Sequence, residues 1–139
     1  MERNLQEKVE QVLDQHPVGT MATVRNDKPY SRYMTFFHDD LTLYTATNEH
    51  THKVEDLRSN PNAHILVGQN GTNEPHIEIE AKAEIEDSPQ LKEKYWDESL
   101  RPWISGPDDP EYVLLRLQPQ TILYYGSPGS EPQEMTFPS

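Results

Sequence analysis

Residues 76–86 read HIEIEAKAEIE. Ile77, Ile79, Ala81, Ala83 and Ile85 alternate with Glu78, Glu80, Lys82, Glu84 and Glu86, and successive side chains on a strand point to opposite faces. One face therefore packs on a core and the other meets water. This is the signature of an antiparallel sheet, since parallel strands are buried on both faces. The acidic rungs have the atoms of a metal site, but carboxylates on a solvated strand face ordinarily serve solubility, and no metal is expected.

The flanks extend the pattern. Upstream, Ala63 to Gly68 is a short apolar strand, joined to residue 76 through a loop that includes Asn70-Gly71-Thr72-Asn73. Downstream, Ser88-Pro89 supplies an N-cap and a proline at the first helical position, predicting a helix that carries Leu91, Tyr95 and Leu100. That helix runs into RPWISGPDDP (101–110), too rich in proline and glycine for regular structure. Tyr112 to Leu117 and Thr121 to Tyr125 read as two strands separated by a turn at Pro119. The tail, residues 126–139, carries three prolines and no periodicity, predicting an extended or disordered segment after a single domain of residues 1–125.

At the other end, Leu5, Val9, Val12 and Leu13 share one helical face. Gly19 to Val24 reads as a strand, Asn26-Asp27 as its turn, and Pro29 opens the next strand, Tyr30 to His38. On that strand Arg32, Met34 and Phe36 share one face while Tyr33, Thr35 and Phe37 share the other. Bulk on both faces predicts burial on both sides. A tight turn at Asp39-Asp40 leads back along Leu41 to Thr47, and a helix follows from Thr51 to Ser59, stopped by Asn60-Pro61. Six or seven strands, three helices and short connections predict a mainly β protein, a small antiparallel barrel.

Composition bounds the function. The chain has 24 acidic and 12 basic residues and a formal charge of −12, which argues against sequence-independent nucleic-acid binding and against anionic membrane surfaces. The 33% hydrophobic fraction is low, so a partner subunit covering apolar surface is plausible. There is no cysteine, which excludes disulfides, thiolate nucleophiles and cysteine-ligated metals. The N-terminus has no long apolar run, so the expectation is a cytoplasmic protein.

Basic residues gather in the first half. The stretch from Arg32 to Lys53, RYMTFFHDDLTLYTATNEHTHK, runs strand, turn, strand and helix start. Helix-start amides favour anions. Thr47 and Thr51 can donate hydroxyls, and Lys53 and Arg32 can supply charge. Together they have the parts of a phosphate site. The same stretch also reads as a hairpin followed by an ordinary capped helix with surface cations. His50 and His52 lie two apart, the wrong spacing to share a helical face and a metal.

The order of elements, with PYSRYMTFF (29–37) on the second strand and TNEHTHK (47–53) entering the helix, resembles the FMN-binding split barrel of the pyridoxamine 5′-phosphate oxidase superfamily. WDESLRPWISGPDDPEYVLLRLQP (96–119) resembles its general stress protein 26 branch. The resemblance implies a homodimer with FMN at the interface, FAD and a deazaflavin standing behind it as alternatives that the sequence leaves open. It implies that Arg32 contacts phosphate or ribityl oxygens and that Tyr33, Met34, Thr35 and Phe37 pass beside the flavin ring. It further implies that Thr47, with Ala46 beside it, and the pair His52-Lys53 hold the phosphate. Histidine stands at 52 where the oxidases usually carry arginine. His76 falls where the family places a polar residue near the ring, and Trp103, or Trp96, would cover it. Trp96 also reads as plain core. The activity implied is that of a flavin-dependent oxidoreductase with an unidentified electron donor or acceptor. A flavin-binding protein without turnover and a haem-handling split barrel are the alternatives. The vitamin-forming oxidase itself is not expected, because no basic residue follows Arg116 to hold a phosphorylated substrate.

Overall fold

The computed structural model describes residues 2–69, 73–127 and 129–138. Asn70, Gly71 and Thr72 of the expected loop lie outside the described residues. The chain opens with helix α1 (Glu2–Gln15), whose Leu5, Val9, Val12 and Leu13 are all buried. Strands β1 (Val18–Arg25) and β2 (Lys28–Thr35) form a hairpin. Its two-residue turn, Asn26-Asp27, has φ of 52° and 62°. Asn and Asp tolerate this left-handed backbone, and such turns match the twist of the flanking strands.

Strand β3 (Phe37–Asp39) begins after the single residue Phe36, and β4 (Thr42–Asn48) pairs back on it. The turn lies one residue later than predicted, at Asp40-Leu41, with Asp40 at φ 51°. Helix α2 (His52–Ser59), β5 (Asn62–Gly68), β6 (His76–Glu86), α3 (Pro89–Lys94) and β7 (Tyr112–Tyr125) follow. All pairings are antiparallel, in the order β2-β1-β5-β6-β7-β4-β3.

The two edge strands of that order, β2 and β3, are joined in sequence by Phe36 alone. The sheet must therefore curl until its edges meet. At the seam the Phe36 amide donates to the Pro17 carbonyl at 2.7 Å, and the Thr45 hydroxyl donates to the Thr35 carbonyl at 2.8 Å. The result is a split barrel flanked by helices, its inside filled by residues such as Met21, Leu43, Ile65, Ile79, Leu117 and Ile122, each at most 1% exposed.

Four expectations change. Strand β2 is an edge strand with Tyr30, Ser31, Tyr33 and Thr35 exposed; its alternation is real, but nothing among the described residues covers its outer face. On β6 the alternation holds through Ala83, whereas Ile85 is partly exposed near the strand end. Pro119 makes no turn, and β7 is one strand of 14 residues. The register against β6 shifts there, Glu80 facing Thr121 and Ala81 facing Pro119, so Gln120 is an extra residue in a bulge, where a proline's missing amide does least harm. The tail segment Gln133–Thr136 forms β8 on the second half of β7, past the reach of β4. It brings Met135 and Phe137 against the core, and the Phe137 amide satisfies the Gln120 carbonyl at 3.0 Å.

A second, aromatic cluster sits outside the barrel. Ser88 caps α3 by accepting from the Leu91 amide at 3.3 Å. The helix ends at Lys94, before Leu100, which lies in a short 3₁₀ turn (Glu98–Leu100). Tyr95 then stacks on Tyr44 and Phe37, with centroids 4.7 and 5.5 Å away. Ile104, Tyr112 and Leu114 complete the cluster, which fastens residues 95–111 beside β4. Among the described residues no helix is long and apolar enough to cross a membrane.

Candidate functional site

Closure of the barrel sets the end of β2 beside the end of β4, and β4 runs directly into α2. The loop fastened by the aromatic cluster lies over the junction. These pieces enclose an open cleft of about 260 Å³. Arg32 to Thr35 and Phe37 come from the hairpin edge, Ala46, Thr47 and Asn48 from β4, Thr51 and Lys53 from the start of α2, and Leu100, Trp103 and Ile104 from the loop.

Its polar end is an ordered chain of donors. Lys53 Nζ donates to the Thr47 hydroxyl at 3.2 Å, and the Thr51 hydroxyl donates to the Asn48 carbonyl at 2.9 Å. With its proton spent there, Thr51 can only accept from Thr47, 3.4 Å away. Thr51 is the N-cap of α2 but makes no side-chain hydrogen bond to the helix, so the first-turn amides have no capping partner.

Arg32 Nη1 donates to the Thr23 hydroxyl at 2.8 Å and to the Met21 carbonyl at 3.3 Å. Among the described residues neither Arg32 nor Lys53 forms an ion pair with a carboxylate. Burial pulls the Lys53 ammonium below the usual lysine range, and the neighbouring charge of Arg32 lowers it further. Burial likewise lowers Arg32; Asp56 opposes that shift and Arg25 adds to it. Two partly buried cations, neither in an ion pair among the described residues, make a surface that an anion would stabilise.

The other end is apolar and aromatic. Tyr33 is 79% exposed and Trp103 64% exposed, large values for rings beside the buried Met34 and Ile104. Trp96 lies outside the cleft, tilted against Tyr112 with centroids 5.9 Å apart and its indole donating to Glu98 at 2.8 Å.

Of the sequence candidates, all line this cleft except His52, His76 and Trp96. His52 precedes Lys53 on a helix, so the two side chains diverge by about 100°, and His52 lies in a separate polar groove with Arg25, Asp27, Glu55 and Asp56. The His76 ring stacks on Tyr125 at 4.6 Å, nearly parallel. Asn48 was not anticipated. Its amide donates to the Trp103 carbonyl at 3.0 Å and to Glu111 at 3.1 Å, and its oxygen accepts from the His50 amide at 2.8 Å. It thereby pins the loop to the helix start. An asparagine before a helix reads as a cap, and that local reading conceals the distant partner.

Residues 5–126 match the family model described as pyridoxamine 5′-phosphate oxidase. The chain is 47% identical to general stress protein 26 of Bacillus subtilis (strain 168) over 123 residues, 87% of this chain and 88% of that one. In three dimensions it is similar to general stress protein 26 of Bacillus anthracis str. Sterne, with 40% identity, TM-score 0.89, and 96% and 99% of the two chains covered. It is also similar to a putative pyridoxamine 5′-phosphate oxidase from Listeria innocua, with 36% identity, TM-score 0.80, and 88% and 99% covered. With the curled antiparallel barrel, its cleft at the seam and these likenesses together, the chain belongs to the pyridoxamine 5′-phosphate oxidase family, in its general stress protein 26 branch.

Proposed function

We propose that the chain binds FMN in the cleft and works as a flavin-dependent oxidoreductase, with a second copy completing the site. One observation supports this reading: Arg32 and Lys53, in no ion pair among the described residues, line with two threonine hydroxyls one end of a cleft whose other end is aromatic. A phosphomonoester carries nearly two negative charges at neutral pH, and the cation end suits it. Tyr33, Phe37, Met34 and Trp103 suit a planar ring. A more distant structure of this fold, from Mesorhizobium loti, is a FAD-binding protein; the single terminal phosphate end of the present cleft favours FMN.

When bound, the flavin supplies hydride acceptance and onward electron transfer, while the protein supplies position and field. Lys53, Thr47, Thr51 and the first amides of α2 would hold the phosphate; Arg32, one strand away, would neutralise the remaining charge. Trp103, held through Asn48, would exclude water from one face of the ring. A haem reading needs an axial nitrogen, and among the described residues no histidine lines the cleft.

The test is anaerobic addition of NADH and then NADPH to the FMN-loaded protein. Loss of the flavin's visible absorbance with either donor supports turnover; persistence with both reduces the protein to a flavin binder. The exposed edge strand β2 and the bared rings of Tyr33 and Trp103 are the surfaces a second copy would cover. Dilution through the dimer dissociation range is accordingly expected to release FMN, and a monomer that retains it would rule out a shared site.

The lowered Lys53 adds a pH dependence. An ammonium with a depressed pKa is charged below that pKa and neutral above it. Anion affinity then declines as the solution becomes alkaline, earlier than an ordinary lysine would dictate. Lys53→Arg is expected to keep its affinity across the same range, measured by FMN titration at stepped pH. Parallel profiles for the two proteins would remove Lys53 from the phosphate site.

A further inference from the structure

We infer that Arg25, which lies outside the cleft, keeps the phosphate end positive by occupying the buried carboxylate of Asp56, which would otherwise draw in and neutralise Arg32. Arg25 and Asp56 are thus positioning residues for the FMN site, and the inference rests on the reading of that site just given.

Asp56 is one turn beyond Lys53 on α2 and only 6% exposed. Its Oδ1 accepts from Arg25 Nε at 3.2 Å, and its Oδ2 accepts from Arg25 Nη2 at 3.5 Å and from the Thr23 hydroxyl at 3.4 Å. Thr23 is fully buried, and its oxygen accepts from Arg32 Nη1 at 2.8 Å. A single hydroxyl therefore separates the carboxylate from the guanidinium of the cleft. The arrangement orients Arg32 without discharging it, because Thr23 offers a lone pair where Asp56 would offer a full negative charge.

What keeps Asp56 from the direct pair is Arg25. A buried carboxylate demands a counter-ion, and Arg25 is preset to be that ion. Its guanidinium lies over the Tyr30 ring at 4.3 Å, on the rigid hairpin closed by Asn26-Asp27. Arg32 already feels both charges, the Asp56 carboxylate favouring its charged form and Arg25 opposing it. Remove the charge at 25, and Arg32, one hydroxyl away through Thr23, is placed to replace it. The phosphate end would then lose charge and geometry through a residue that touches neither.

Rescue of the defect by a second neutralisation provides the test. FMN titrations on the full chain compare wild type with R25Q, D56N, R25Q/D56N and R25K. R25Q is expected to weaken FMN roughly tenfold, the scale of one charge-assisted contact. Adding D56N removes the carboxylate that would capture Arg32, so the double variant is expected to return to within about twofold of wild type. R25K, which keeps the charge, is expected to stay closer to wild type than R25Q. Relief of an orphaned buried carboxylate would let the double variant recover on structural grounds too, so R25Q is also placed on an R32Q background: acting through Arg32 it is expected to cost no further FMN affinity there, and a further tenfold loss overturns the inference. R25Q that titrates like wild type, or a double variant as weak as R25Q, overturns the inference. Should R25Q fail to fold, D56N alone decides: it is expected to bind FMN severalfold more tightly, and D56N binding no tighter than wild type overturns the proposal. Wild type that takes up no FMN overturns the FMN reading itself, and this inference with it.

Discussion

Lys53→Met is expected to weaken FMN binding roughly tenfold to a hundredfold, the loss of about 1 to 3 kcal/mol for a charge-assisted contact, while leaving the melting temperature unchanged or slightly raised. The two effects part because the ammonium is placed badly for folding. It is partly buried, beside the like charge of Arg32, and among the described residues no carboxylate pairs with it. Among the described residues its polar side-chain contact in the cleft is the Thr47 hydroxyl, a neutral acceptor. Removing the charge relieves desolvation and repulsion in the free protein and forfeits attraction only in the complex. Methionine keeps most of the volume, so packing along α2 is preserved. Flavin fluorescence titration and a thermal melt on the same sample check both halves. A large fall in melting temperature would mean that Lys53 is a structural residue, and unaltered FMN affinity would mean that the phosphate lies elsewhere.

The parts of this site that the sequence discloses are those whose partners are near in the chain. Thr47, Thr51 and Lys53 fall within one strand end and one helical turn, so composition and spacing place them together. Arg32 joins them only because the barrel closes at Phe36, a fact carried by the pattern of strands rather than by any single residue. The alternation of β6 is legible because solvent is a reliable contrast to core. The bulk on both faces of β2 is misleading for the converse reason: an edge strand left open among the described residues carries the composition of a buried strand. Pro119 resembles a turn because it lacks an amide, and a bulge leaves that amide unneeded just as well. Strand β8 is hidden because four residues on one edge, with Met135 turned to the core, carry too little period to read. The supports of the site are hidden by distance. Arg25 and Asp56 are 31 residues apart, and Asn48 and the Trp103 carbonyl 55 apart, so each reads locally as an ordinary surface charge or cap.

Gly19→Ala is expected to destabilise the protein by about 2 kcal/mol, in the range for overpacking a filled interior, and to lower the melting temperature by roughly 4 to 8 °C. The cause is a close approach rather than a special backbone angle. A Cβ at Gly19 would stand 2.6 Å from the Leu66 carbonyl oxygen, 2.7 Å from Val67 Cγ2 and 3.2 Å from a ring carbon of Phe36. The first of these is main chain in the neighbouring strand and cannot swing aside, so β1 must move relative to β5 or lose its hold on Phe36. Gly106 provides the control, because an added Cβ there meets nothing within 4 Å; Gly106→Ala is expected to melt with the wild type. The consequence for function follows from the place of the strain. Gly19 faces Met34 across the hairpin, and Phe36 is the seam that sets Arg32 to Thr35 against β4. The Gly19 variant should therefore also bind FMN less tightly at a temperature where it is fully folded, although Gly19 touches no part of the cleft. A variant with wild-type melting would show that the seam is soft, and the rigid placement of Arg32 opposite Lys53 would then need another cause.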